Sequence, residues 1–322
     1  MDQIVDLSEF NMSDDELFAH IEHDDTEAEK ITAPRYSYWK SVFRVFFKKK
    51  INIVLLVLLG IIIVLAYFYP LVTNFDRFAN VNDVNSKHLS PAQAIAHFGF
   101  SLQWIFGTGI QGESTLSAIW YGAEISLSLA FICAAINMTI GVLLGAVWGF
   151  SRKVDIVMTE VYNIVGNVPY ILLIGVLVLV MSPTFWTMVF ALTVTGWIGI
   201  AYFVRTQVLI IRDREYNLAS KCLGTSTIKI AMRNILPFMT SVIVTLVATE
   251  IPSYISTEVF LSYIGMGLSD MSLGKLIESA QVYMSFNPWE FWAPVAVASI
   301  ITIVLYVVGQ NLGDASDPRT HL

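Results

Sequence analysis

Two carboxylates stand inside one apolar run. Glu250 and Glu258 are eight residues apart, two helical turns, and so lie on roughly one helix face. Acids at membrane depth are costly and usually face a bundle interior or an aqueous cavity. Such a pair can meet a cationic substrate group, bond a neighbouring helix or relay protons; Glu258, near the run's end, can also simply be solvated. A second polar group precedes it: Asn163 and Asn167, followed by Pro169, within another apolar run. Proline frees a backbone carbonyl and bends a helix. The asparagines can then line a watery cavity or only bond adjacent helices. The five histidines lie outside every apolar run, and HExxH is absent. An intramembrane hydrolase is therefore disfavoured. His20 and His23, among carboxylates, are read as part of an acidic tail and not as metal ligands.

The most organised polar stretch is Glu215–Pro237, EYNLASKCLGTSTIKIAMRNILP, between two apolar runs. The spacing predicts a short helix with Ala219 and Ser220 on it, a turn at Gly224, then Lys229 and Arg233, and Pro237 opening the next run. Small residues allow close approach of another surface, and glycine allows a sharp turn. A loop designed to this degree suits a partner's grip. No GxxxxGK[ST] phosphate loop occurs in the chain, so nucleotide chemistry of that type is not expected here.

These groups must be positioned by membrane helices. Of the 322 residues, 55% are hydrophobic, and several runs are long enough to cross the hydrocarbon layer, which takes about 20 residues. They are continuously apolar, unlike barrel strands. We expect an all-α integral membrane protein of six spans, near 51–69, 125–150, 154–181, 185–211, 238–263 and 291–310. Ser182-Pro183 separates the third from the fourth. Gly141, Gly145 and Gly149 are four apart on the second span, the small-residue pattern that packs helices closely in lipid.

The charge is strongly divided. Residues 1–29 carry eleven Asp and Glu and no Lys or Arg, while residues 30–50 carry seven Lys and Arg among aromatics. The first reads as a solvated acidic tail, 1–33, with a short helix near 14–21. The second, 34–50, reads as a juxtamembrane anchor against anionic lipid, not a nucleic-acid site. The remaining divisions are a first span at 51–69, an extracellular segment at 70–124, a core at 125–310 containing the loop 212–237, and a tail at 311–322. With the N-terminus inside, cytoplasmic segments carry sixteen Lys and Arg (seven, two, six and one in chain order), against Arg77, Lys87 and Lys275 outside. Both termini are thus expected in the cytoplasm. Cys133 and Cys222 fall in different settings, and no disulfide is expected.

Glu215–Pro237 resembles the EAA loop of bacterial ABC importer permeases, E-A-A-x-x-x-G, nine residues, then I-x-L-P. Leu218-Ala219-Ser220 take the first three places; Gly224, Leu236 and Pro237 fall in register. Leu218, Ser220 and Asn234 depart from the usual Glu, Ala and Ile. Glu215-Tyr216 is similar to the peptide-importer version of the loop. FGTGIQGESTLSAIWYGAEISL, TEVFLSYIGMGL and VVGQNLGDASDPR resemble three further blocks of the family in order and spacing. Tyr36–Arg44 is similar to the start of C-type, OppC- or AmiD-like subunits of Gram-positive oligopeptide importers. The resemblance covers residues 34–322.

The resemblance implies a type I ABC permease fold with a coupling helix between the fourth and fifth spans. It implies no catalytic residue, metal or cofactor in this chain, with ATP and magnesium used by partners. Those partners would be a second homologous permease, two ATPase subunits and an extracellular lipid-anchored peptide-binding protein, with peptide as cargo and lipid around the spans. The ATPase-coupling residues would be Glu215, Tyr216, Leu218, Ala219, Ser220, Gly224, Lys229, Leu236 and Pro237. Asn163, Asn167, Pro169, Glu250 and Glu258 are the pathway candidates. Dipeptide or nickel-chelate import by the same permease type is the near alternative. A proton-coupled secondary transporter using Glu250 is the distant one, weakened by the lack of an inverted repeat.

Overall fold

The computed structural model describes residues 37–73 and 75–317, and among them the regular structure is helical, with a single isolated β-bridge between Thr108 and Ser114. The acidic tail, His20, His23 and Arg319 lie outside the described residues. Helix α1 is Tyr38–Lys48 and α2 is Lys50–Thr73. After a loop comes α3, Pro91–Phe98, opened by Ser90 and Gln93, which bond each other's backbone in a reciprocal cap. The long α4 runs from Thr115 to Phe150, with Ser114 capping it by accepting from the Ser117 N–H at 3.2 Å. Then follow α5 (Arg152–Gly166), α6 (Tyr170–Met181), α7 (Phe185–Val194), α8 (Gly196–Arg212), α9 (Glu215–Cys222) and α10 (Thr227–Ile230). The fold closes with α11 (Thr240–Tyr263), α12 (Leu273–Ala280) and α13 (Pro288–Ala315).

Five helical stretches have the length and apolarity to cross a membrane: 50–73, 115–150, 185–212, 231–263 and 288–315. The sixth expected span is broken. α5 and α6 meet at a 75° bend across Asn167–Pro169, where the proline ends one helix and starts the other. The helix that carries the second span starts at Thr115, ten residues before the expected start of the span at 125. The last helix continues to Ala315, beyond the expected 310. Ser182, in left-handed backbone at φ 77°, ends α6, and Thr184 caps α7.

The main core gathers α2, α4, α7, α11, α12 and α13 around Leu127, Leu129, Met188, Leu192, Ile255 and Leu261. A second cluster joins α4 and α8 to the segment before α11 through Val204, Val208, Ile235 and Met239. Helices α5 and α6 bury little of themselves: α5 has no buried residue, and Ile164, Leu172 and Val180 are exposed. In a bilayer such a flank faces lipid or another chain. At one end of the bundle α1 packs on α13, and the Arg212 guanidinium at the end of α8 donates to the Gly149 carbonyl near the end of α4 at 2.9 Å. At the opposite end the 264–287 segment folds back, and its helix α12 packs on α4, α11 and α13.

Candidate functional site

Helix α9 stands at the α1 end of the bundle. Only Asn217 of its eight residues is buried, at 1% exposure. That asparagine is the root. Its amide donates to the Ile211 carbonyl at 3.0 Å, and its oxygen accepts from Asn234 Nδ2 at 3.2 Å. Asn234 also donates to Ser220 Oγ at 3.3 Å, and Ser220 donates to the Tyr216 carbonyl at 2.9 Å. Both Asn234 and Ser220 depart from the usual loop pattern, and here they bond each other. Tyr216 stacks on Phe238 with ring centroids 5.6 Å apart.

The helix ends in a tight reversal. The Thr225 N–H bonds the Ser220 carbonyl at 3.1 Å and the Gly224 N–H bonds that of Lys221 at 3.0 Å. Gly224 has φ 79°, which a side chain resists. After α10, the chain widens over Ala231–Ile235 and tightens over Leu236–Met239 before α11 begins. Pro237 explains this, because its ring would meet the Arg233 carbonyl in a regular helix. Pro237, Lys229, Glu215 and Ala219 are all exposed. Leu218 is exposed too, and Leu223 is 86% exposed. The loop is thus held from beneath by amides and presents leucines, alanine and lysines outward.

The two acids of α11 have different fates. Glu250 is partly buried and lies one helical turn before Tyr254. Tyr254 accepts from Asn137 at 2.6 Å, and Asn137 and Tyr170 both donate to the Leu192 carbonyl. This polar knot ties α4, α6, α7 and α11 together. Glu258 is fully buried, which sets aside its reading as a solvated residue near the outer surface. It accepts from Ser126 at 2.8 Å, Ser262 at 2.9 Å and Ser272 at 2.5 Å. Ser272 in turn caps α12, and Ser126 accepts from the Leu273 N–H at 3.1 Å. Glu258 therefore fixes the folded-back helix onto two spans. Asn163, Asn167 and Pro169 lie exposed at the α5–α6 bend, with Asn167 donating to the Asn163 carbonyl at 2.5 Å.

The family model described as "Binding-protein-dependent transport system inner membrane component" matches residues 137–322, over half the chain. The chain belongs to this permease family. Residues 37–91 match the "N-terminal TM domain of oligopeptide transport permease C". The oligopeptide transport system permease protein AmiD of Streptococcus pneumoniae is 44% identical, over 96% of this chain and 98% of the relative. OppC of Bacillus subtilis is 33% identical over 91% and 93%, and DppC of the same organism, a dipeptide transport permease, 31% over 96% and 94%. This permease is a multi-pass membrane component of an ABC importer with the type I fold.

Three further features of the permease went unread in the sequence. Arg205 pairs with Asp155 at 2.5 Å, above the Trp148 and Tyr202 rings, and so holds α5 on α4 and α8. Only the opposite charges fifty residues apart signalled it. His88 pairs with Glu290 at 2.8 Å, joining the 75–114 segment to α13. Asn217 gave no signal beyond being polar in a polar loop. The glycines of α4 face α8: Gly141 lies against Ile200, Gly145 against Ala201 and Val204, and Gly149 against Val208. Cys133 is buried, Cys222 is exposed, and both are free thiols.

Proposed function

We propose that this permease is one transmembrane half of an ATP-driven oligopeptide importer, and that α9 is the element an ATPase subunit grips. The observation that carries the reading is the form of Glu215–Pro237: a short helix rooted through Asn217, with Leu218, Ala219 and Leu223 turned outward. Exposed leucines on a rigid mount are suited to a groove in another subunit. The peptide cargo is supported by the names of its relatives, two of which are oligopeptide permeases. Dipeptides, named for the third, are the second reading.

In this reading a homologous second permease completes the pathway, and the sparsely buried flank of α5 and α6 is the surface available to it. Asn163, Asn167 and Glu250 would then border the route. ATP and magnesium belong to two ATPase subunits, which in this reading supply the catalysis; among the described residues no side-chain cluster suited to a metal ion occurs. An outer lipid-anchored binding protein delivers the peptide. The termini and α9 face the cytoplasm, supported by the excess of basic residues on that side. Closure of the ATPases pushes α9; the rooted amides pass the push to α8 and α11, which switches access by rigid-body motion.

The test is uptake of labelled peptide and ATP hydrolysis by the reconstituted importer. Gly224→Pro cannot keep φ 79°, since proline fixes φ near −65°. Ala219→Trp puts bulk on the gripped face. Both variants should assemble in the membrane yet lose uptake. Normal uptake by either assembled variant would refute the coupling role.

A further inference from the structure

Helix α1 divides into three stripes. Val42 and Phe46 are buried against the bundle. Trp39, Phe43 and Phe47 follow at four-residue spacing, each about half exposed, with rings in succession at 6.4 and 6.3 Å. Lys40, Arg44 and Lys48 repeat the spacing one residue later, all exposed, and make no ion pair with any described residue. One residue is about 100° of helix rotation, so the aromatic and basic stripes run side by side. No acid occurs between Ser37 and Lys50.

We infer that α1 lies in the membrane interface and binds anionic phospholipid headgroups through Lys40, Arg44 and Lys48, with Trp39, Phe43 and Phe47 inserted beside them. The pairing of stripes selects this occupant. An acidic protein groove would complement the basic stripe but leave three adjacent aromatic rings in water, whereas the headgroup boundary suits both. The position agrees, because α1 is followed after Lys49 by the first spanning helix.

The anchor reaches the core. The Tyr38 hydroxyl donates to the Ser316 carbonyl at 2.7 Å, just past α13, and the Asn52 amide donates to the Phe46 carbonyl at 2.8 Å. Lipid that fixes α1 thereby fixes the ends of α2 and α13. The site is an anionic-lipid contact linked to the last span. It rests on the membrane reading of the chain, not on which cargo crosses.

The experiment is titration of the detergent-purified, full-length importer complex with phosphatidylglycerol, read by native mass spectrometry, with phosphatidylcholine as control. Lys40→Gln/Arg44→Gln/Lys48→Gln should weaken phosphatidylglycerol binding about tenfold or more and leave phosphatidylcholine binding unchanged. The charge-keeping Lys40→Arg/Arg44→Lys/Lys48→Arg variant should bind like the parent. Trp39→Ser/Phe43→Ser/Phe47→Ser should weaken both lipids. Equal phosphatidylglycerol binding by the glutamine variant and the parent would overturn the inference. So would binding that appears only after removal of residues 2–29, because the basic stripe would then be occupied by the chain's own acids. Both readouts are of binding, so a wrong cargo assignment would leave them unmoved.

Discussion

The two ends of the permease treat polar side chains in opposite ways. At the α12 end, carboxylates go inward. Glu258 is enclosed by three serines and Glu290 is paired to His88. At the α9 end one buried amide, Asn217, bonded to the half-buried Asn234, forms a root, and leucines go outward. A buried network that is fully satisfied fixes one arrangement. An exposed helix on a fixed root, with leucines uncovered on it and just past its end, has contacts still to make. The difference separates two kinds of test: Glu258 serves the scaffold, and the uncovered leucines at the α9 end are where the proposed grip is to be sought.

That contrast breaks if the largest stability loss does not fall on Glu258. Glu258→Leu orphans the hydroxyls of Ser126, Ser262 and Ser272 in the interior. The expected cost is about 3 kcal/mol or more, at roughly 1–3 kcal/mol for each buried unsatisfied group. Thermal unfolding of the purified protein should show it, and Glu258→Gln, which keeps one acceptor, should lose less. The opposite end should behave the other way. Leu223→Ser removes an exposed side chain, so its stability should stay within about 0.5 kcal/mol. Peptide uptake by the reconstituted importer should nevertheless fall. If Leu223→Ser unfolds the protein, or Glu258→Leu leaves its melting unchanged, the division between the ends is wrong.

Much of this was readable in the chain. Continuous apolar runs marked the spans, Pro169 marked the bend, and the loop motif placed Gly224 and Pro237 at their turns. The ten helical residues of α4 before the expected span were not legible, because residues 115–124 carry Ser117 and Glu124, polar residues unexpected so near the end of a span. There α4 packs against α2 and the returning segment: Ser117 lies near Tyr69, and Gly122 meets the backbone at Ser272–Leu273. The partners of Glu258 were not legible because Ser126 and Ser272 lie 132 and 14 residues away, and periodicity reports a face without naming what covers it. Asn217 and Asn234 look like ordinary loop residues until folding brings them together across seventeen positions.

The root of α9 can be sharpened by restoring the family pattern in steps. Asn234→Ile removes the donor to Asn217 and Ser220, leaving the Asn217 oxygen buried without a partner. The expected loss is about 1–2 kcal/mol. Ser220→Ala alone should cost less, about 0.5–1 kcal/mol. The two residues touch, so the double variant should lose less than the sum of the singles, by about 0.5 kcal/mol. Strict additivity would show that the two departures from the pattern are independent.

The smallest expected effect tests the other end, at Glu113. Burial pushes its carboxyl above the ordinary range, although the N–H groups of its own residue and Gln111, and the charges of Arg77 and His88, pull the other way. An acid whose folded-state pKa is raised makes the folded protein less stable once ionised. That cost is present above the folded pKa and vanishes as pH falls through it. Glu113→Gln removes the ionisation and keeps an acceptor for the Gln111 N–H, which lies 2.7 Å from Glu113 Oε2. The variant should therefore melt slightly above the parent at neutral pH, with the gap closing as the solution is made acidic. A gap that widened on acidification would mean that the charged form stabilises the fold, and that the hydrogen bonds, not burial, dominate at this end.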